Sequence, residues 1–153
     1  MITIDCARAL QQAGLRWHPA SGDSFRIERP GFDSEVFTVS EMTIEAHEFD
    51  TGTILGFNGT TEWALDSLAL EDALWLPRED QLRSLLRGTF RSLNRLDDDR
   101  YRVSVHVRGA DEVFEAATAV DAYGNAVLML IGLSGAGTAA PAAAGEPGGD
   151  SGD

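Results

Sequence analysis

Lysine is missing from this chain: all 12 of its basic residues are arginine. Without lysine there is no Schiff-base nucleophile, no anchor for pyridoxal phosphate and no Walker-type phosphate-loop amine. Cysteine is almost as scarce. Cys6 stands alone, which rules out an intramolecular disulfide and a cysteine-based metal site. It falls in a segment of helical spacing, where a thiol serves as a small apolar side chain rather than a reactive group. Long apolar runs are lacking too. The longest, Ala126 to Leu133, is far short of the roughly 20 residues that span a bilayer. Met1 to Arg8 shows no basic stretch followed by an apolar run, so a cytoplasmic protein is the expectation.

Positive charge is outnumbered: 25 Asp and Glu against 12 Arg give a formal net charge of −13. Broad nucleic-acid binding needs a basic footprint, and an anionic membrane surface repels such a chain, so neither partner is expected. His18, His47 and His106 are scattered without a shared spacing, and no Gly-x-Ser-x-Gly elbow occurs. No metal, no cofactor and no catalytic residue is assigned.

What is present suffices for a core. Hydrophobic residues make up 43% of the 153, enough for one domain. Residues 1–133 read as that domain. Residues 134–153 carry only small, polar, proline and acidic side chains, a composition expected to form a disordered tail.

Thr3 can cap a helix running to about Ala13, with Ile4, Ala7 and Leu10 on one face and Gly14 past its end. Strand signals follow at Phe25–Ile27, Val36–Val39, Met42–His47, Thr53–Phe57 and Thr61–Leu68, with Asn58-Gly59 as a hairpin turn. Pro77 opens a second helix, with Glu79 and Asp80 at its positive end. Leu82, Leu85, Leu86, Phe90 and Leu93 fit a helical stripe and carry that helix to about Leu96. Tyr101 to Arg108 alternates as a strand, Val113 to Ala117 is its hairpin partner, and Thr118 caps a last helix to about Ile131. The expected fold class is α+β, an antiparallel sheet with three helices in the order α-β(n)-α-β-β-α.

Two groups of residues are candidate sites. Arg83, Arg87, Arg91 and Arg95 recur every four residues and would ridge the second helix opposite its leucines, with Arg78 just before. Such a ridge is either a solvated face balanced by nearby carboxylates or a docking surface for an acidic partner or phosphate-bearing ligand. Trp17, Trp63 and Trp75 sit among apolar neighbours at element edges, either as core or as an aromatic pocket.

The stretches Ala13–Trp17, Gly56–Ser67 and Leu74–Leu82 resemble a group of small actinobacterial proteins often labelled pilus assembly protein CpaE, over most of residues 1–133. Pilus-assembly proteins of that name are similar to Walker-type ATPases. This chain has no phosphate loop, so the resemblance implies a pilus-related context without ATPase activity, and no site residues carry over. Element order, size and acidity are also similar to the small secretion-chaperone fold, whose members are acidic dimers that hold partner chains. The expectation is a non-enzymatic protein-binding or assembly module that forms a homodimer and acts through a sheet face or the arginine ridge. The alternative is a small enzyme or ligand-binding protein with an acidic and aromatic pocket.

Overall fold

The structure is a computed structural model that describes residues 1–32, 35–40, 44–49, 52–57 and 67–143. Its class is α+β. The elements are α1 (Ile4–Gln12), β1 (Ser24–Ile27), β2 (Val36–Thr38), β3 (Ile44–Phe49), β4 (Gly52–Phe57), β5 (Ser67–Ala69), β6 (Ala73–Leu76), α2 (Glu79–Leu86), β7 (Phe90–Arg95), β8 (Tyr101–Val107), β9 (Ala110–Ala116) and α3 (Ala119–Ala143). Two three-stranded antiparallel sheets carry the core, in the orders β2-β1-β6 and β7-β8-β9. Strands β3, β4 and β5 pair with one another in a separate excursion between β2 and β6. The turn at Asn58-Gly59 and most of the segment expected as a strand from Thr61 lie outside the described residues.

The ends of α1 follow from its sequence. The Thr3 hydroxyl accepts the Cys6 amide, and Gly14, at φ 107°, turns the chain so that its own N–H reaches the Gln11 carbonyl. Leu15 N–H then bonds to Leu10 O. In β6 the run Ala73-Leu74-Trp75-Leu76 is covered on both sides, and two apolar clusters explain why. Leu74 and Leu76 join a cluster with Ala7 and Leu10 of α1, Leu82 and Leu86 of α2, Val103 and Val105 of β8, and Tyr123, Ala126 and Val127 of α3. Ala73 belongs instead to a cluster with Trp17, Phe25, Ile27 and Val39, and Trp75 packs against it. A continuous apolar run is what a strand buried on both faces requires.

The second helix is shorter than its leucine spacing implies. It ends at Leu86, and Arg87 turns out of it with φ 52° and ψ −135°. One 3₁₀ turn over Arg87–Thr89 leads directly into β7. A bulge accounts for the apolar spacing beyond it. Phe90 pairs with Val105 and Ser92 with Ser104, so Arg91 is an extra residue in the ladder. That insertion places Phe90 and Leu93, three apart, opposite the inward residues Val105 and Val103, imitating a helical period on a strand. The chain therefore has three strands, not two, between α2 and α3.

At the other end α3 continues to Ala143 rather than stopping near Ile131. Alanine, the best helix former, occupies five of residues 136–143 and sustains the helix into the segment expected as a tail from Ser134. No helix among the described residues is long and apolar enough to cross a membrane.

Candidate functional site

The arginines expected on one helical ridge are distributed over three settings. Arg83 alone lies on α2; Arg87 stands at its exit, and Arg91 and Arg95 belong to β7. The four-residue period survives in the sequence but not as a helix face, because the helix ends at Leu86 and a 3₁₀ turn and the bulge follow it. Arg91 Nη1 donates to the carbonyls of Gly88 and Phe90, at 2.8 and 3.1 Å, folding its charge over its own turn. Arg95 is paired with Asp99 across the β7–β8 turn. No acidic residue occurs from Gln81 to Leu96, so this stretch remains a basic island.

Two of the three tryptophans come together. Trp17 stacks on Trp75 with ring centroids 6.5 Å apart and planes 9° off parallel, and it meets Phe25 at 5.2 Å. Phe25 in turn stacks on Phe37, and Phe37 meets Phe32. Trp63 lies outside the described residues. Trp75 Nε1 is buried and finds no hydrogen-bond partner among the described residues, nor does Arg26 Nε on the neighbouring strand.

Beside the tryptophans, in the turn before β1, sits a hub that the residue pattern does not single out. Asp23 is 2% exposed. Its Oδ2 accepts Trp17 Nε1 at 2.9 Å and the Ala20 amide at 3.1 Å. Its Oδ1 accepts Gln81 Nε2 at 2.7 Å and Arg78 Nη1 at 3.4 Å. Arg78 also donates to Gly22 O, and Gln81 Oε1 accepts the Arg78 amide. A buried carboxylate with four donors has its charge distributed and its lone pairs filled, which is the arrangement of a structural clamp. It fixes the start of α2 to the loop before β1. Only the Asp following a Ser-Gly pair hinted at it, and nothing local signals that Gln81, 58 residues on, reaches back.

On the face of β7-β8-β9 turned away from α3, side chains from β8 and β9 pair across the ladder. Arg102 donates to Glu115 at 2.6 Å through Nη2, Arg100 reaches the same carboxylate at 3.5 Å, and His106 Nδ1 lies 2.6 Å from Asp111 Oδ1. Val113 stands among them, 55% exposed. Among the described residues no group of three or more His, Cys, Asp or Glu could hold a metal ion.

Cys6 is packed where α1 crosses α3. Burial, and next the charge of Asp121, push its thiol up to about 11. A thiol so raised stays protonated at neutral pH and is a poor nucleophile.

The apolar face of α3 changes along its length. Val120, Ala122, Tyr123, Ala126 and Val127 are buried, whereas Leu128, Met129, Leu130 and Ile131 are partly buried, each packed against the same cluster with some surface left over. At about 100° per residue those four consecutive apolar side chains sweep roughly 300° of the helix surface. One domain covers one side of a helix, and a helix that is apolar all round needs cover on the others.

No protein-family model, no curated protein and no solved structure matches this chain.

Proposed function

We propose that this protein is a non-enzymatic protein-binding or assembly module, chaperone-like in its use of apolar surface, acting in a pilus or secretion context. The observation that carries the reading is the run of four apolar side chains round α3 at Leu128–Ile131, which the domain's own core buries only in part. In water such a helix end favours a protein partner or a second copy over exposure, since burial of apolar area is the main driving term of association. The exposed leucines Leu85 and Leu93 add apolar surface within the basic island.

A photo-crosslinking side chain placed at Met129 in the cells that make the protein tests this. A discrete adduct of defined mass is expected at Met129 and not at a control position, Gln12, on the exposed side of α1. A smear, or the same adducts at both positions, would sink the reading. Mass spectrometry of the adduct then tests the pilus or secretion context.

A second reading rests on Trp75, whose unpaired indole N–H beside Trp17 would suit a small ligand offering an acceptor. Thermal-shift screening separates the two, because a specific small ligand raises the melting temperature by mass action.

A further inference from the structure

The two outer strands of the second sheet complement each other in charge, in apolar content and in backbone pairing. From this we propose that the β9 edge of one copy of this chain adds to the β7 edge of the next, giving head-to-tail association.

The backbone comes first. Leu96 N–H donates to Arg100 O at 2.7 Å, and antiparallel ladders alternate, so Asn94 also points toward β8 while Leu93 and Arg95 present their N–H and C=O groups outward. On the other side Arg108 and Gly109, at φ 53° and 81°, form a two-residue turn closed by Val107 and Ala110. Ala110, Glu112 and Phe114 therefore point toward β8, and Asp111, Val113 and Glu115 present their backbone groups outward.

The side chains follow the same register. Outward on β7, beyond the bulge, stand Leu93 and Arg95; outward on β9 stand Asp111, Val113 and Glu115. Set antiparallel, Leu93 meets Val113 and Arg95 meets Asp111. Leu93 and Val113, 38% and 55% exposed, are two of the five large apolar residues left exposed among the described residues. Apolar and opposite-charge pairs directly across a ladder are the favourable ones, and like charges there are destabilising. A two-fold pairing of β7 with β7 would set arginines among arginines, and β9 with β9 would set carboxylates among carboxylates. Charge selects β7 against β9.

Geometry adds one condition. Leu93 shares the α3 side of the sheet with Val103, whereas Val113, opposite Ser104, lies on the other side. For the two to share a face, the second copy is turned over about an axis in the sheet plane, perpendicular to the strands. That operation makes β9 and β7 antiparallel and puts the helices of successive copies on alternate sides. The contact is heterologous, so it propagates rather than closing at two. The proposal deepens the assembly reading above by naming a second copy as the occupant of these edges.

Sedimentation velocity of the full chain over a concentration series tests it. Wild type is expected to grow past a dimer as concentration rises. Leu93→Lys and Val113→Lys, each blocking one edge, are expected to stay monomeric at about tenfold higher concentration. Mixed in equal amounts they are expected to form a dimer and nothing larger, because each retains the edge the other lost. As a second arm, Arg95→Asp and Asp111→Arg each weaken association and the double exchange restores it. Dimerisation of Val113→Lys alone would overturn the proposal in favour of a β7 two-fold. Association unchanged in both lysine variants, or a wild type that stays monomeric throughout, would overturn it and leave the partner reading at α3 standing on its own crosslinks.

Discussion

Asp23 and Trp17, six residues apart, are joined by a 2.9 Å hydrogen bond from the indole Nε1 to the buried carboxylate Oδ2. The bond ties the loop after α1 to the start of β1, and the carboxylate's other oxygen continues the link to Gln81 of α2. Both oxygens meet only donors: Trp17, the Ala20 amide, Gln81 and Arg78. Asp23→Asn replaces one acceptor by an NH₂ group. Whichever way the amide turns, that group faces two donors. A loss of about 2–3 kcal/mol is expected, from orphaned buried donors. Urea unfolding should show a lower midpoint with an unchanged slope, and an unshifted midpoint would mean the clamp contributes nothing.

Gly124 marks the closest approach of α3 to α1. A Cβ built there would lie 2.5 Å from Cys6 Sγ. Gly124→Ala should therefore destabilise by about 1–3 kcal/mol through overpacking. In the Cys6→Ala background the sulfur is gone, and the same substitution should become neutral or favourable, because alanine is better than glycine in a helix by about 1 kcal/mol. A double-mutant cycle of thermal unfolding reads the coupling. Additive effects would place the clash elsewhere.

The thiol of Cys6 gives a pH dependence with a definite sign. Its value in the folded chain is raised to about 11 from an ordinary 9.0, by burial first and by Asp121 second. Below pH 9 the folded and unfolded chains both hold the proton, and the thiol contributes no slope. Between about 9 and 11 the unfolded chain ionises first, so stability falls as pH rises through that window. Cys6→Ala should flatten the fall attributable to this group. Alkylation by iodoacetamide should likewise be slow at pH 8 in the folded chain and fast in urea; equal rates would contradict the burial.

Much of the fold is written locally, and the exceptions have a common cause. The Thr3 cap, the glycine after α1, the doubly buried run before Pro77 and the alternation of β8 each report a backbone state through adjacent residues. The Thr118 cap does as well, since its hydroxyl accepts the Asp121 amide. The carboxylate of Asp121 accepts the Thr3 amide 118 residues away. The stretch from Arg87 to Arg95 misleads because a bulge and a helix both bring residues three apart onto one face. Periodicity alone does not separate them. Asp23 and Gln81 were illegible for a different reason, being polar residues whose partners are fixed only by tertiary packing. Of the candidate aromatic set, the stacking of Trp17 on Trp75 is now visible, while Trp63 lies outside the described residues.

The join between β1 and β6 has a consequence for how this chain can change over time. Ile27 pairs with Ala73, Glu28 N–H bonds to Asp72 O at 2.7 Å, and Arg29 meets Asp72 at 2.7 Å. Val39 is held as firmly, donating to Asp23 O and accepting from Gly22 N–H. The chain thus leaves the core after Val39 and returns to it by Leu70, at two points pinned by contacts made outside the excursion. Lengthening or trimming what lies between them alters a closed loop whose entropy changes by only about 0.6 kcal/mol per doubling. A change of length between Val39 and Leu70 therefore acts on a loop whose two ends are held by Asp23 and by the β1–β6 pairing, outside the segment that changes.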